Sequence, residues 1–84
     1  MHLLYQLKQG DKMDFSEIVK VVRKELGMSQ EELAHNLKIS FSTVNRWENG
    51  KTHPNKMALS VFSDFCKKRG VNLRAIMDKN EGKQ

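Results

Sequence analysis

Apolar residues recur at intervals of three and four between residues 29 and 50, with polar residues between them. Leu33 and Leu37 fall on one face of a first short helix, while Val44 and Trp47 fall on one face of a second. Only a few residues separate the two stripes. The pattern therefore predicts two short helices that cross steeply at a tight turn.

Helix-capping residues stand at the ends of both stripes. Ser29 precedes Glu32 by three residues, which is the spacing of a capping box at a helix start. Ser40 is placed to cap the second helix, and Gly50 is placed to end it in a left-handed conformation. We expect Ile39 to fill the corner between the two helices.

Three further helices are predicted outside this pair. Asp14 caps the first, whose apolar stripe is formed by Phe15, Ile18, Val21, Val22 and Leu26. Pro54 and Asn55 open the fourth, which runs to about Arg69 and turns inward Ala58, Val61, Phe62, Phe65 and Cys66. Asn72 caps a short fifth helix.

These elements predict one small all-α domain over residues 14–78. A Gln-Gly-Asp stretch separates it from residues 1–13, which we expect to form an N-terminal extension or arm. Residues 79–84 are expected to be a disordered tail.

The two central helices carry a recognisable combination of residues. Residues 29–34 read Ser-Gln-Glu-Glu-Leu-Ala, and residues 47–50 read Trp-Glu-Asn-Gly after the turn. Over about residues 14–78 the chain resembles the phage lambda-type repressor and Cro family of helix-turn-helix proteins, also called the Xre family. The resemblance implies a compact five-helix, lambda-repressor-like helix-turn-helix domain. It further implies a sequence-specific transcriptional regulator, a repressor, that binds a double-stranded DNA operator as a homodimer.

In such a protein the second motif helix, residues 40–49 here, lies in the major groove. With Val44 and Trp47 pointing inward, the outward residues that would read bases are Phe41, Ser42, Asn45 and Arg46. Arg46 is suited to guanine, whose O6 and N7 accept two hydrogen bonds from a guanidinium group. Phe41 departs from the polar residue common in the family. It would either touch a thymine methyl group or fold back onto the protein.

The resemblance also implies contacts with the DNA backbone. The positions that would hold phosphates are Gln30, Thr43, Asn49, Lys51, Thr52, Asn55 and Lys56. Two further residues match a structural pair of the family, in which the carboxylate of Glu48 binds the guanidinium of Arg23. Trp47 is interpreted as a core residue because it follows Val44 by one turn.

Composition adds modest support. The 84 residues carry a net charge of +5 and a pI near 9.6, which favours a polyanionic partner. Between Ser29 and Lys56, however, four Lys or Arg stand against three Glu, so much of the excess charge lies elsewhere in the chain. One cysteine, Cys66, cannot form an internal disulfide, and no apolar run approaches a membrane span. We therefore expect a cytoplasmic protein without membrane contact.

Other functions have weaker support in the sequence. The histidines and the cysteine are too scattered for a metal signature, and neither a nucleophile elbow nor a phosphate-binding loop occurs. No enzymatic activity and no cofactor are predicted. The alternative is an antitoxin-type protein-interaction module that binds a protein partner, a toxin or another regulator, and also regulates its own operon.

Overall fold

Five helices follow one another in the computed structural model, which describes the backbone of residues 14–82 and the side chains of residues 14–77. Numbered in chain order, they are α1 (Phe15–Glu25), α2 (Gln30–Leu37), α3 (Phe41–Glu48), α4 (Lys56–Lys68) and α5 (Leu73–Gly82). No strand occurs within residues 14–82. The predicted all-α, five-helix fold is confirmed.

The outer boundaries of the domain are described only in part. The predicted N-terminal extension, residues 1–13, lies outside the described residues. At the other end, α5 continues to Gly82, past residue 78, where the sequence pattern placed the end of the domain. Residues 83 and 84 also lie outside the described part of the chain.

Each helix begins at a side chain that caps it. The backbone N–H three residues further on donates to the oxygen of the capping side chain at 2.8–3.2 Å. The five caps are Asp14, Ser29, Ser40, Asn55 and Asn72, and all but Asn55 are predicted as caps from the sequence. Pro54 and Asn55 are predicted to open α4, but the helix begins at Lys56, after the Asn55 cap. Ser29 and Glu32 form the complete capping box, since the Ser29 N–H also donates to Glu32 Oε1 at 2.8 Å. The helix starts are therefore set by local hydrogen bonds.

The helices enclose one apolar core. Its fully or nearly buried members are Ile18, Val19, Val22, Leu33, Ala34, Leu37, Val44, Trp47, Phe62, Cys66 and Leu73. Three aromatic rings join α1, α3 and α4, because Phe15 lies edge-on to Trp47 and to Phe62 with centroid separations of 5.3 and 5.4 Å. Trp47 is a core residue, as predicted, and only 4% of its surface is exposed.

Two apolar positions differ from the prediction. Val19 was absent from the predicted stripe of α1 but is fully buried, because α1 packs against both α3 and α5 and so buries a wider arc. Val61 was predicted to face inward but is 43% exposed. The buried arc of α4 is centred on Phe62 and Cys66, and Val61 is rotated from Phe62 by about 100° around the helix.

Candidate nucleic-acid interface

A two-residue turn joins α2 to the cap of α3. Lys38 adopts a left-handed conformation with φ of 61°, and its N–H donates to the His35 carbonyl. The Ile39 N–H donates to the Ala34 carbonyl at 3.0 Å, so the carbonyls at the end of α2 have partners. Ser40 then caps α3 directly. The result is a helix-turn-helix in which α3 starts immediately after α2 and packs against it.

The predicted ion pair between Arg23 and Glu48 is present and joins α1 to α3. Arg23 Nε donates to Glu48 Oε2 at 2.7 Å, and Arg23 Nη2 donates to Glu48 Oε1 at 3.0 Å. Arg23 Nη1 also donates to the Met28 carbonyl at 3.0 Å. Glu48 is buried, with 4% of its surface exposed. A two-point pair with one charge buried fixes α3 against α1 more firmly than a surface contact would.

A second set of hydrogen bonds runs from Glu48 across the motif. Gln30 Nε2 donates to Glu48 Oε1 at 3.0 Å, and Asn45 Nδ2 donates to Gln30 Oε1 at 3.1 Å. Asn49 Nδ2 in turn donates to Asn45 Oδ1 at 3.0 Å. We call the side chains of Gln30, Asn45 and Asn49 the amide chain. It connects the start of α2 with the solvent side of α3.

The pair and the amide chain keep Glu48 ionised. Burial by itself would raise the pKa of Glu48, but hydrogen bonds from Arg23 and Gln30 and the positive charges of Arg23 and Lys20 outweigh it, so that this pKa lies below its usual value. The hydrogen bond with Glu48 likewise raises the pKa of Arg23. At neutral pH this centre therefore contains a carboxylate and a guanidinium, and the carboxylate can only accept hydrogen bonds.

The outer face of α3 presents the predicted base-reading residues. Ser42 and Arg46 are exposed and form no side-chain hydrogen bond with another described residue. Phe41 is 48% exposed and lies outside the buried core. Asn45 is half-buried because Gln30 and Asn49 hold it. The structure thus brings these four residues onto one helix, three of them exposed to solvent.

The predicted phosphate-binding residues lie in three places. Gln30 is half-buried at the start of α2, and its amide is hydrogen-bonded to Glu48 and Asn45. The Thr43 hydroxyl lies 2.8 Å from the Ser40 hydroxyl. The turn after α3 and the start of α4 hold the rest, all of them exposed: Asn49, Lys51, Thr52, Asn55 and Lys56. Of these, Asn55 already uses its side-chain oxygen to cap α4.

The amide chain was not predicted from the sequence. Asn45 and Asn49 are four residues apart on one helix, a spacing that could have indicated their contact. Gln30 and Asn45 belong to different helices, and their contact depends on how α2 and α3 pack. No sequence pattern predicts this contact between Gln30 and Asn45.

Neither a metal-binding cluster nor a membrane-spanning helix is found in the described residues. Among residues 14–77, no three His, Cys, Asp or Glu side chains come together in a group that could hold a metal ion. Within the described part of the chain, no helix has the length and apolar character needed to cross a membrane.

Comparisons with known proteins agree with this geometry. The pattern of a family described as Helix-turn-helix matches residues 19–69, from within α1 to the end of α4. The HTH-type transcriptional activator BcrR of Enterococcus faecalis is 36% identical over 53 residues, which are 63% of this chain but only 26% of that protein. No solved structure matches the chain significantly. Because the family match covers more than half of its length, the chain belongs to the helix-turn-helix family.

Proposed function

We propose that this protein is a sequence-specific, double-stranded DNA-binding transcriptional regulator that places α3 in the major groove. The observation that carries the proposal is the contrast between the two sides of α3. Its inner side is held by Trp47, Val44 and the buried carboxylate of Glu48. Its outer side presents Ser42 and Arg46, which are exposed and form no side-chain hydrogen bond with another described residue. The major groove of DNA admits a helix of this kind.

Arg46 is the residue best suited to specify a base. Its guanidinium is exposed and unpaired among the described residues, so it can bind O6 and N7 of guanine together. Ser42 can donate to or accept from most bases. Phe41, half-exposed at the first turn of α3, is suited to contact with a thymine methyl group.

Backbone contacts would come from the turn after α3 and the start of α4. Lys51 and Thr52 are exposed there, next to Asn49, and they follow directly on the proposed reading helix. Such contacts orient a protein on DNA and give affinity that falls with added salt, but they carry no sequence information. Gln30, Thr43, Asn55 and Lys56 complete the proposed set.

The proposal includes a homodimer, because one eight-residue helix contacts only a few base pairs. Met57 and Val61, one turn apart on α4, are 74% and 43% exposed and offer an apolar surface for a second copy. Sedimentation equilibrium tests this point. Val61→Lys should shift the protein toward monomer, and His35→Lys, at an exposed position on α2, should not. A wild-type monomer at every concentration and on DNA contradicts the dimer.

The direction of regulation is a separate matter. The resemblance to the phage repressor family implies a repressor, whereas the relative from Enterococcus faecalis is named an activator. Repression and activation use the same DNA-binding surface and differ in where the site lies relative to the promoter. A reporter gene under the selected operator would assign the direction.

A pair of arginine variants tests the reading role. Arg46→Ala removes an exposed cation from α3, and Arg74→Ala removes one from α5, so the two variants have the same net charge. Arg46→Ala should abolish the preference at one base pair, worth about 1–3 kcal/mol, and Arg74→Ala should leave every preference intact. If Arg46→Ala and Arg74→Ala show the same base preferences, α3 does not read the groove through Arg46.

A further inference from the structure

We infer that the carboxylate of Glu48 fixes the direction of the amide chain, so that Gln30 is a positioning residue that holds Asn45 in one amide orientation for base selection. The inference rests on the proposed function, because it concerns how one member of the reading surface is prepared for DNA. It follows from the hydrogen bonds among four side chains, Gln30, Asn45, Glu48 and Asn49, and from what each of their atoms can donate or accept.

The direction of the amide chain is determined at its inner end. An ionised carboxylate accepts hydrogen bonds and cannot donate them, so the Gln30 group that faces Glu48 must be its NH₂ group. The carbonyl oxygen of Gln30 then faces Asn45 and must receive an N–H. Reversing the amide of Gln30 or of Asn45 would set two acceptors against each other at one junction and two donors at the next.

The consequence for Asn45 is a single orientation of its amide. Its NH₂ group is turned toward Gln30 and its carbonyl oxygen toward Asn49. One N–H and one lone pair remain for another partner. Adenine presents an acceptor at N7 and a donor at N6, and asparagine is suited to that pair, whereas guanine presents two acceptors. We therefore assign Asn45 a preference for adenine in one strand of the base pair that it meets.

Asn45 differs in this respect from its neighbours on α3. Ser42 and Arg46 are exposed and unbonded within the described residues, so DNA has to order them on binding. Asn45 is half-buried and held from both sides before DNA arrives. A reading group that is already oriented loses less conformational freedom on binding, and it rejects a base that would require the opposite orientation.

The first experiment examines the free protein. In ¹⁵N-labelled protein, the side-chain NH₂ signals of Asn45 are compared between the wild type and Gln30→Met, a change of similar length that leaves Arg23 and Glu48 in place. The Asn45 signals should move toward those of an exposed asparagine, while those of Asn55, which caps α4, stay in place. Unmoved Asn45 signals would overturn the amide chain without touching the proposed function.

The second experiment examines base preference. Asn45→Ala first identifies the base pair that Asn45 reads, as the one whose preference disappears. At that base pair, Gln30→Met should reduce the ratio of affinities for adenine over thymine by about tenfold. Asn49→Ala, which removes the other partner of Asn45 at an exposed position, should reduce the same ratio. Lys51→Met is the matched control and should weaken all sequences equally, with every ratio unchanged.

The outcomes separate the two proposals. In one outcome, Gln30→Met and Asn49→Ala each keep the full ratio of affinities for adenine over thymine while the protein still prefers a base at the position read by Arg46. That result overturns only the positioning role. A wild-type protein that prefers no base at any position overturns the positioning role and the proposed function together. A reduced ratio at the Asn45 position, with the Arg46 position unchanged, supports the inference.

Discussion

Removing Arg23 should destabilise the domain far more than removing a lysine from a surface pair. Arg23→Met deletes both hydrogen bonds to Glu48 and leaves that carboxylate buried, with Gln30 as its one remaining hydrogen-bond donor among the described residues. Leaving a buried charge unpaired costs about 3–5 kcal/mol. A chain of 84 residues has a total free energy of unfolding of about 4–13 kcal/mol, so the loss should be at least about a quarter of the total.

Lys68→Met provides the control. Lys68 and Asp64 form an ion pair at 3.1 Å, but 76% and 59% of their side-chain surfaces are exposed. A pair of this kind contributes about 0–1 kcal/mol. In both variants a positively charged side chain is replaced by methionine. The difference between their free energies of unfolding therefore reports the burial of the partner carboxylate.

A double variant distinguishes an unpaired charge from lost packing. In Arg23→Met with Glu48→Leu the carboxylate is gone, and at least about 2 kcal/mol of the loss should return. Urea titrations followed by the fluorescence of Trp47, the one tryptophan of the chain, measure all four proteins. If Arg23→Met lowers the free energy of unfolding no more than Lys68→Met, or if the double variant is no more stable than Arg23→Met, the Glu48 carboxylate does not need Arg23 to be buried.

Three further predictions concern pH, backbone conformation and the thiol. The pKa of Glu48 is lower in the folded than in the unfolded protein, so ionised Glu48 stabilises the fold above about pH 4.3, and this stabilisation is lost as pH falls through the folded pKa. In urea titrations, Glu48→Gln should therefore lose less stability between pH 7 and pH 3 than the wild type. Parallel curves of stability against pH would contradict this. Lys38→Gly should raise the free energy of unfolding by about 0.5–1 kcal/mol, because Lys38 has φ of 61°. Gly50→Ala, at φ of 70° with open space around it, should lower the free energy of unfolding by about 1 kcal/mol. Thermal melts in which Gly50→Ala is more stable than Lys38→Gly would exclude backbone strain as the cause. Burial raises the pKa of the Cys66 thiol to about 12, so a disulfide reagent at pH 8 should label native protein about a thousandfold more slowly than protein in urea, and equal rates would show the thiol to be accessible.

What the sequence predicted well depends on neighbours in the chain. The capping box of Ser29 and Glu32 and the left-handed Gly50 involve residues within one helical turn, so their spacing alone identifies them. The Arg23–Glu48 pair joins residues 25 apart, and only the resemblance to a known family pointed to it.

What escaped prediction depends on how helices pack. The contact between Gln30 and Asn45 exists because α2 and α3 bring two amides together, and neither residue type announces it. Val61 has the same side chain as the buried valines Val22 and Val44. It is exposed because Phe62, the next residue along α4, faces the core. Sequence patterns assign a side chain to a face of a helix with an uncertainty of about one position, and Val61 lies within that uncertainty.

Selection of binding sites from random double-stranded DNA, at a stated salt concentration, tests the central claim that α3 reads the major groove. The wild type should enrich a two-fold symmetric sequence with half-sites about one helical turn apart, and Arg46→Ala should lose the preference at one base pair of each half-site. Enrichment of no sequence by the wild type, or an identical consensus from Arg46→Ala, would contradict the account.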